Sequence, residues 1–210
     1  MYIPFDQICM FAMSIGKPIR GILHVGAHEC EEKDVYNKCG ISDTQIVWVE
    51  GNSSKVLQMK EKYPSIRLYE ALVDEVQHQV TFYITNNGQS SSILPLETHK
   101  IHHPEITVAE EQICQTTTLK KLIEEKFIDV SYLNFWNLDI QGAELQALKG
   151  AAEYLNYVDI LYCEVNIEHL YKDCALLPEL DAFLESKGFE RKAIKLTDSG
   201  WGDALYVRKN

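Results

Sequence analysis

A chain of 210 residues holds one α/β domain and leaves no room for a second core of similar size. Its 46% apolar and 24% charged residues are ordinary globular usage, which excludes long disordered stretches. With 31 acidic against 20 basic residues the net charge is −11, a sign that repels phosphate backbones and anionic membranes, so neither nucleic acid nor membrane is expected as a partner.

The apolar spacing of Phe5, Ile8, Cys9, Phe11, Ala12 and Ile15 predicts a helix over 5–15 within an N-terminal segment 1–20. Gly16 and Pro18 end it. Gly21–Gly26 reads as a short apolar strand, followed by a helix from about 29 to 39 with Gly40 at its stop. A second strand over 45–50 ends on Glu50, and a helix over 53–63 is closed by Pro64. The third strand, 66–73, runs into Asp74. Such near-continuous apolar strands alternating with helices indicate a parallel sheet covered on both faces.

Residues 77–116 break this rhythm and are expected as an insertion near the acceptor side of the domain. Within them 80–84 is rich in strand formers, Asn86-Asn87-Gly88 signals a turn, and 88–112 reads as an irregular surface loop carrying His99, His102 and His103. Thr117 or Thr118 caps a helix to about 127. A fourth strand over 132–138 ends at Asp139, a helix over 142–148 stops at Gly150, and a fifth strand over 158–165 contains Glu164. After a helix over 177–187, strands 189–196 and 204–208 form a terminal hairpin around the turn 197–202.

Cysteines 9, 30, 39, 114, 163 and 174 form no CxxC pair and no zinc spacing, so free thiols in a reducing compartment are expected. There is no signal-peptide pattern and no apolar run of the roughly 18–20 residues that a membrane span needs, which makes the cytoplasm the expected location.

Open parallel sheets bind ligands beyond the carboxyl ends of their strands. Those ends here are Gly26-Ala27-His28-Glu29, Glu50, Ala71-Leu72-Val73-Asp74, Leu138-Asp139-Ile140-Gln141 and Glu164-Val165-Asn166. Gly26, lacking a Cβ, permits close approach of a ligand. Glu50 can accept both hydroxyls of a ribose, and Asp74 can accept from an adenine amino group.

The blocks His24-Val25-Gly26-Ala27-His28, Trp48-Val49-Glu50-Gly51-Asn52, Ala71-Leu72-Val73-Asp74 and Leu138-Asp139-Ile140-Gln141-Gly142-Ala143-Glu144-Leu145 resemble the FkbM-type methyltransferases. Leu148-Lys149-Gly150, Thr117–Leu122 and Ser90-Ser91-Ser92 fit the same pattern, and the resemblance spans about residues 20–165. It implies a single Rossmann-like methyltransferase domain over 1–210: a seven-stranded, mostly parallel sheet flanked by helices, its last strand antiparallel in the C-terminal hairpin. It further implies S-adenosylmethionine as cofactor and, usually, oxygen as the methyl acceptor.

Carried over by position, Gly26, Ala27 and His28 line the methionine and ribose side, Glu50 holds the ribose, Leu72 and Asp74 meet the adenine, and Asp139 faces the sulfonium. His24, Glu29, Asn52 and Gln141 complete the expected cofactor set. This chain departs from the pattern at His24 and His28, at Cys30 where a glycine is common, and at Gln141 where glutamate is usual.

Three residues are candidates for the chemistry. Asp139 can orient the acceptor hydroxyl or take its proton, its structural alternative being a cap for the 142–148 helix. Glu164 borders the acceptor side with Asn166, and His169 titrates in the range a general base needs. Glu144, in the first turn of a helix, reads as structural. His99, His102 and His103 form either a lid or a polar loop, and Trp201 either stacks on a sugar or packs on the sheet. No local motif demands a metal, although Asp139, Glu164 and Asn166 are hard oxygen ligands, and none is expected.

These readings point to O-methylation of a sugar, glycan or other small hydroxylated acceptor, and are compatible with a domain cut from a larger glycan-building enzyme. An RNA ribose methyltransferase and a non-catalytic nucleoside-binding module of the same fold are the alternatives. A dinucleotide oxidoreductase would need G-x-G-x-x-G after the first strand, where 24–29 has a single glycine.

Overall fold

Strands with no polar side to show to water belong inside a sheet covered on both faces. The computed structural model, which describes residues 1–209, has that arrangement. Its first half runs α1 (Phe5–Ser14), β1 (Ile22–Val25), α2 (Lys33–Lys38), β2 (Ile46–Glu50), α3 (Ser53–Lys62), β3 (Arg67–Glu70), β4 (Leu72–Val73) and β5 (Gln79–Thr85). The second half runs α4 (His99–His102), β6 (Val108–Thr117), α5 (Leu119–Glu125), β7 (Phe135–Leu138), α6 (Glu144–Lys149), β8 (Ile160–Asn166), α7 (Leu177–Ser186), β9 (Phe189–Leu196) and β10 (Trp201–Arg208).

Seven strands form one sheet in the order β3-β2-β1-β7-β8-β10-β9. All are parallel except β10, which lies antiparallel between β8 and β9. Every residue of β1, β2, β7 and β8 is buried. Alternate side chains feed two cores. Leu23, Val25, Leu138 and Leu161 pack with α5, α6 and α7 on one face. On the other face Ile22, Trp48, Phe135 and Ile160 pack with α1, α2 and α3. Each such side chain contributes about 1.5–3 kcal/mol of burial.

The register fixes where function can sit. Val25 is level with Val49 and Leu138, Leu138 with Cys163, and Glu164 with Asp203. One row across the carboxyl edge therefore reads Glu50, Gly26, Asp139, Glu164, Asp203.

Three departures from the sequence reading have clear causes. The expected third strand is divided: Ala71 N still bonds Glu50 O at 2.9 Å, but Leu72 and Val73 turn away to pair with Thr116 and Thr117. They start a second, three-stranded sheet, β4-β6-β5. The expected loop 88–112 contains α4 and the first residues of β6. β6 escapes recognition because its burial is poor: in Val-Ala-Glu-Glu-Gln-Ile-Cys-Gln-Thr-Thr only Thr116 is buried, so no apolar run marks it. Finally, α2 and α6 begin late because left-handed residues precede them, His28 (φ +42°) and Cys30 (φ +55°) before one, Gln141 (φ +59°) and Gly142 (φ +97°) before the other.

Candidate active site

The carboxyl edge of the main sheet opens into two adjoining clefts that share Gly26, His28, Gln89, Asp139 and Gln141. The outer one measures about 460 Å³. The inner one, about 60 Å³, is bounded by the ends of β1 and β2, by Leu72, and by the segment Gly88–Ile93 folded over it.

Main-chain geometry builds the inner cleft. Gly26 has φ +91°, and a Cβ there would lie 1.7 Å from the carbonyl oxygen of Asp139, so the close approach at this glycine is first of all between neighbouring strand ends. The left-handed turn at His28 brings its N–H to Glu50 Oε2 at 2.7 Å, while the N–H of Asn52 donates to Oε1 at 2.7 Å. Burial pushes the Glu50 carboxyl up, and these two donors oppose the shift. Each oxygen keeps a free lone pair. His28 Nδ1 lies 2.6 Å from Glu31 Oε1, whereas its Nε2 is buried with no partner. Gly51 lets Leu72 close the wall, since a Cβ would meet Leu72 Cδ2 at 2.2 Å.

Polar side chains build the outer cleft. Asp139 is exposed at the junction of the two clefts, and its Oδ1 accepts from Gln141 Nε2 at 2.6 Å. The same nitrogen donates to Glu164 Oε2 at 2.7 Å. Glu164 is only 4% exposed, and burial, with Asp139 and Glu144 nearby, pushes its carboxyl well above the usual range. Burial likewise raises Asp203, which accepts from the Tyr162 hydroxyl and from Tyr2 N. His24 lines this cleft as a neutral ring: burial lowers its pKa to about 4, and Tyr36 and Asn137 hold it. His99 and His103, their centroids 5.1 Å apart, come over the cleft with Tyr171. Trp201 begins β10 rather than sitting in a turn, and lines the cleft against Tyr2, 5.2 Å away.

Glu50 and Leu72 thus line the inner cleft, His24 and Glu164 the outer one, and Gly26, His28, Asp139 and Gln141 both. Ala27, Glu29, Asn52, Asp74 and His169 are not brought to either. Ala27 is buried in the core. Glu29 pairs with Lys55, and Asn52 caps α3 by accepting from Ser54 N and Lys55 N. The Asp74 carboxylate is occupied by Glu75 N and, at 2.7 Å, by His78 Nε2. His169 turns outward, its Nδ1 3.1 Å from Cys174 O. Asp139 does not cap α6; Glu144 accepts from Ile140 N and Gly142 N and closes that turn, with burial raising its pKa to about 7.

Sequence reasoning missed Tyr171, Asp203 and Glu31. Only Asp203 left a signal, a lone carboxylate inside an otherwise apolar final strand. Among the described residues, no group of three or more His, Cys, Asp or Glu is arranged to hold a metal ion. Among them, too, no helix is long and apolar enough to cross a membrane.

Several solved structures share the architecture. The ribosomal protein L11 methylase of Lactobacillus delbrueckii subsp. bulgaricus is 11% identical, with 97% of this chain and 78% of that one covered at a TM-score of 0.51. The methyltransferase domain of bacterial CtHen1-C is 9% identical, with 97% and 96% covered at 0.51. An uncharacterized protein of Listeria monocytogenes serotype 4b is 11% identical, with 95% and 67% covered at 0.52. At such identities the likeness speaks for the fold alone. No curated protein sequence matches the chain. The methyltransferase FkbM domain, however, matches residues 24–191, a span that contains both clefts' strand ends from Gly26 to Glu164. On that match, and with a sheet order to suit it, the chain belongs to the FkbM methyltransferase family.

Proposed function

We propose that the chain transfers a methyl group from S-adenosylmethionine to a hydroxyl oxygen of a small, sugar-like acceptor. The observation that carries this reading is the junction of the two clefts at Asp139. The inner residues suit the nucleoside end of the donor. Glu50 offers free lone pairs beside its two backbone bonds, and the orphaned His28 Nε2 awaits a polar partner. At about 60 Å³ that cleft is narrower than the roughly 300 Å³ of small ligand sites, so the segment Gly88–Ile93 must swing out to admit it.

When bound, S-adenosylmethionine supplies an electrophilic methyl group on a cationic sulfur. Asp139 would orient the acceptor hydroxyl and take its proton while the methyl group passes from sulfur to that oxygen and S-adenosylhomocysteine leaves, a role worth about 10²–10⁴-fold. Alignment by the cleft walls lowers the barrier by up to ~7–11 kcal/mol. The outer cleft falls in the usual size range for a small molecule and carries Glu31, Glu32, Asp139, Glu164 and Asp203, with the Met1 ammonium 3.8 Å from Glu32 and no lysine or arginine in its described lining. Such a field supports a neutral or cationic acceptor, and Trp201 offers a flat face to a sugar ring. A glycan or glycan precursor fits these terms, for an enzyme of the cytoplasm, alone or as a domain of a larger glycan-building protein.

Calorimetric titration of the purified chain with S-adenosylhomocysteine, alongside NAD and a Glu50→Ala variant, tests the reading. Binding of S-adenosylhomocysteine alone, lost in the variant, is the expected result. NAD binding, or no binding by folded protein, contradicts it.

A further inference from the structure

The Gln141 side chain is tied down at every polar atom. Its backbone is left-handed (φ +59°), and its main-chain oxygen accepts from Ser92 Oγ at 2.7 Å. The Tyr171 hydroxyl donates to Oε1. The hydroxyl also has Ser90 O at 3.4 Å as an acceptor, and it is the Asp139 carboxyl oxygen, an acceptor, that selects the amide orientation with nitrogen turned towards it. The amide nitrogen is thereby aimed at the carboxyl groups, giving one proton to Asp139 Oδ1 at 2.6 Å and the other to Glu164 Oε2 at 2.7 Å.

Those two carboxyl groups are otherwise unlike. Asp139 is open to solvent, and Glu164 is buried. Two carboxylates sharing one site do not both ionise readily, and burial penalises the charged form of the inner one. Among the other titratable groups, Glu144 of α6 and Asp203 of β10 raise the Glu164 carboxyl further, while the N-terminal ammonium acts the other way on Asp203. Tyr171 and Tyr2 face the pair as uncharged phenols, and His24 of β1 is neutral near pH 7.

We propose that Gln141 is a positioning residue: one amide nitrogen, its oxygen held by Tyr171, bridges Asp139 and Glu164, turns Asp139 to the cleft and, as a neutral amide, keeps a third carboxyl group out of the pair. An amide is required for this. A glutamate of the same shape has no N–H to give and would bring three carboxyl groups together. The proposal rests on the donor-binding reading above.

The test compares the affinities of the whole chain for S-adenosylmethionine, whose sulfur is cationic, and S-adenosylhomocysteine, whose sulfur is neutral, from pH 6 to 8.5. Their ratio senses charge in the cleft, while a purely structural defect weakens both ligands alike. In the wild type the ratio is expected to rise only as far as the loss of the Glu144 proton, near 7, dictates. In Gln141→Glu the added carboxyl makes the ratio climb about tenfold more than in the wild type over the same range, the factor that one pKa unit represents. Tyr171→Phe, which removes the hydrogen bond on the amide oxygen, is expected to give a smaller slope of the same sign and serves if the first variant does not fold. Profiles in the folded variants that match the wild type, or equal loss of both ligands, overturn the proposal alone. Failure of the wild type to bind either ligand overturns the donor-binding reading and the proposal with it.

Discussion

The inner cleft is made of strand ends and main chain, the outer one of side chains drawn from distant parts of the sequence. Gly26, His28, Glu50 and Asn52 lie within one β-α-β stretch, and their contacts run through backbone N–H groups and a glycine that only a hydrogen can occupy. Tyr2, His99, Tyr171, Trp201 and Asp203 meet around the outer cleft although nearly the whole chain separates the first from the last. Such a division suits a fixed donor and a variable acceptor. The part built on main chain tolerates little change, and the part built on side chains can be redrawn without touching the sheet.

The largest effect that sharpens this comparison is expected at the junction. Asp139→Asn should slow methyl transfer to any acceptor found by screening by about 10²–10⁴-fold while leaving S-adenosylhomocysteine affinity within about threefold. Initial rates and calorimetry on the same preparation check both. An affinity that falls in step with the rate would mean that the clefts are not separable.

Next comes the rigid inner wall. Gly26→Ala places a methyl group 1.7 Å from Asp139 O at a φ of +91°. Overpacking and left-handed strain together should cost about 3 kcal/mol or more, read as a lower denaturant midpoint. A mild change there would show that the strand ends are softer than their contacts imply.

A third test is the buried acid layer beneath the outer cleft. Glu144, at about 7, and Glu164, pushed well up, both keep a proton in the folded chain at pH values where the unfolded chain has released it. Folded-state values above the unfolded ones mean stability that is fully present at about pH 4 and is lost as pH rises towards 7. These acids' share of the unfolding free energy should fall between pH 5 and 7 by roughly 2 kcal/mol, offset in the total by the neutral His24, lowered to about 4, so the fall is read as the pH-dependent difference between wild type and Glu144→Gln. Parallel pH profiles for wild type and Glu144→Gln would contradict the assignment.

The smallest effect concerns the segment over the inner cleft. Ser92 Oγ donates to Gln141 O and accepts from Leu94 N. Ser92→Ala should loosen the segment by about 0.5–1.5 kcal/mol, visible as faster amide exchange over 86–94 with the main sheet unchanged.

The same contrast explains what could be read in advance. The main sheet was legible because β1, β2, β7 and β8 are apolar runs between helix signals, and the row Glu50, Gly26, Asp139, Glu164 follows from where those runs stop. The second sheet was not, since β6 buries only Thr116 and reads as a loop. Asp74 ends a strand in sequence, yet after Ala71 the chain has left the main sheet, so its carboxylate turns to His78 instead of the cleft. His169 follows β8 closely in sequence, but its ring points to Cys174. Tyr171, two residues on, is buried against Gln141. No local pattern distinguishes these two orientations, because tertiary contacts with residues 94–99 decide them: Leu96 bridges Tyr171, and Glu97 and His99 donate to Leu170 O.

The most direct test of the two-cleft account is hydrogen–deuterium exchange of the whole chain with and without saturating S-adenosylhomocysteine. The account predicts protection over 26–31, 50–52 and 86–93, with 99–103 and 199–203 unchanged. Protection confined to the outer segments, or none at saturating ligand, would contradict it.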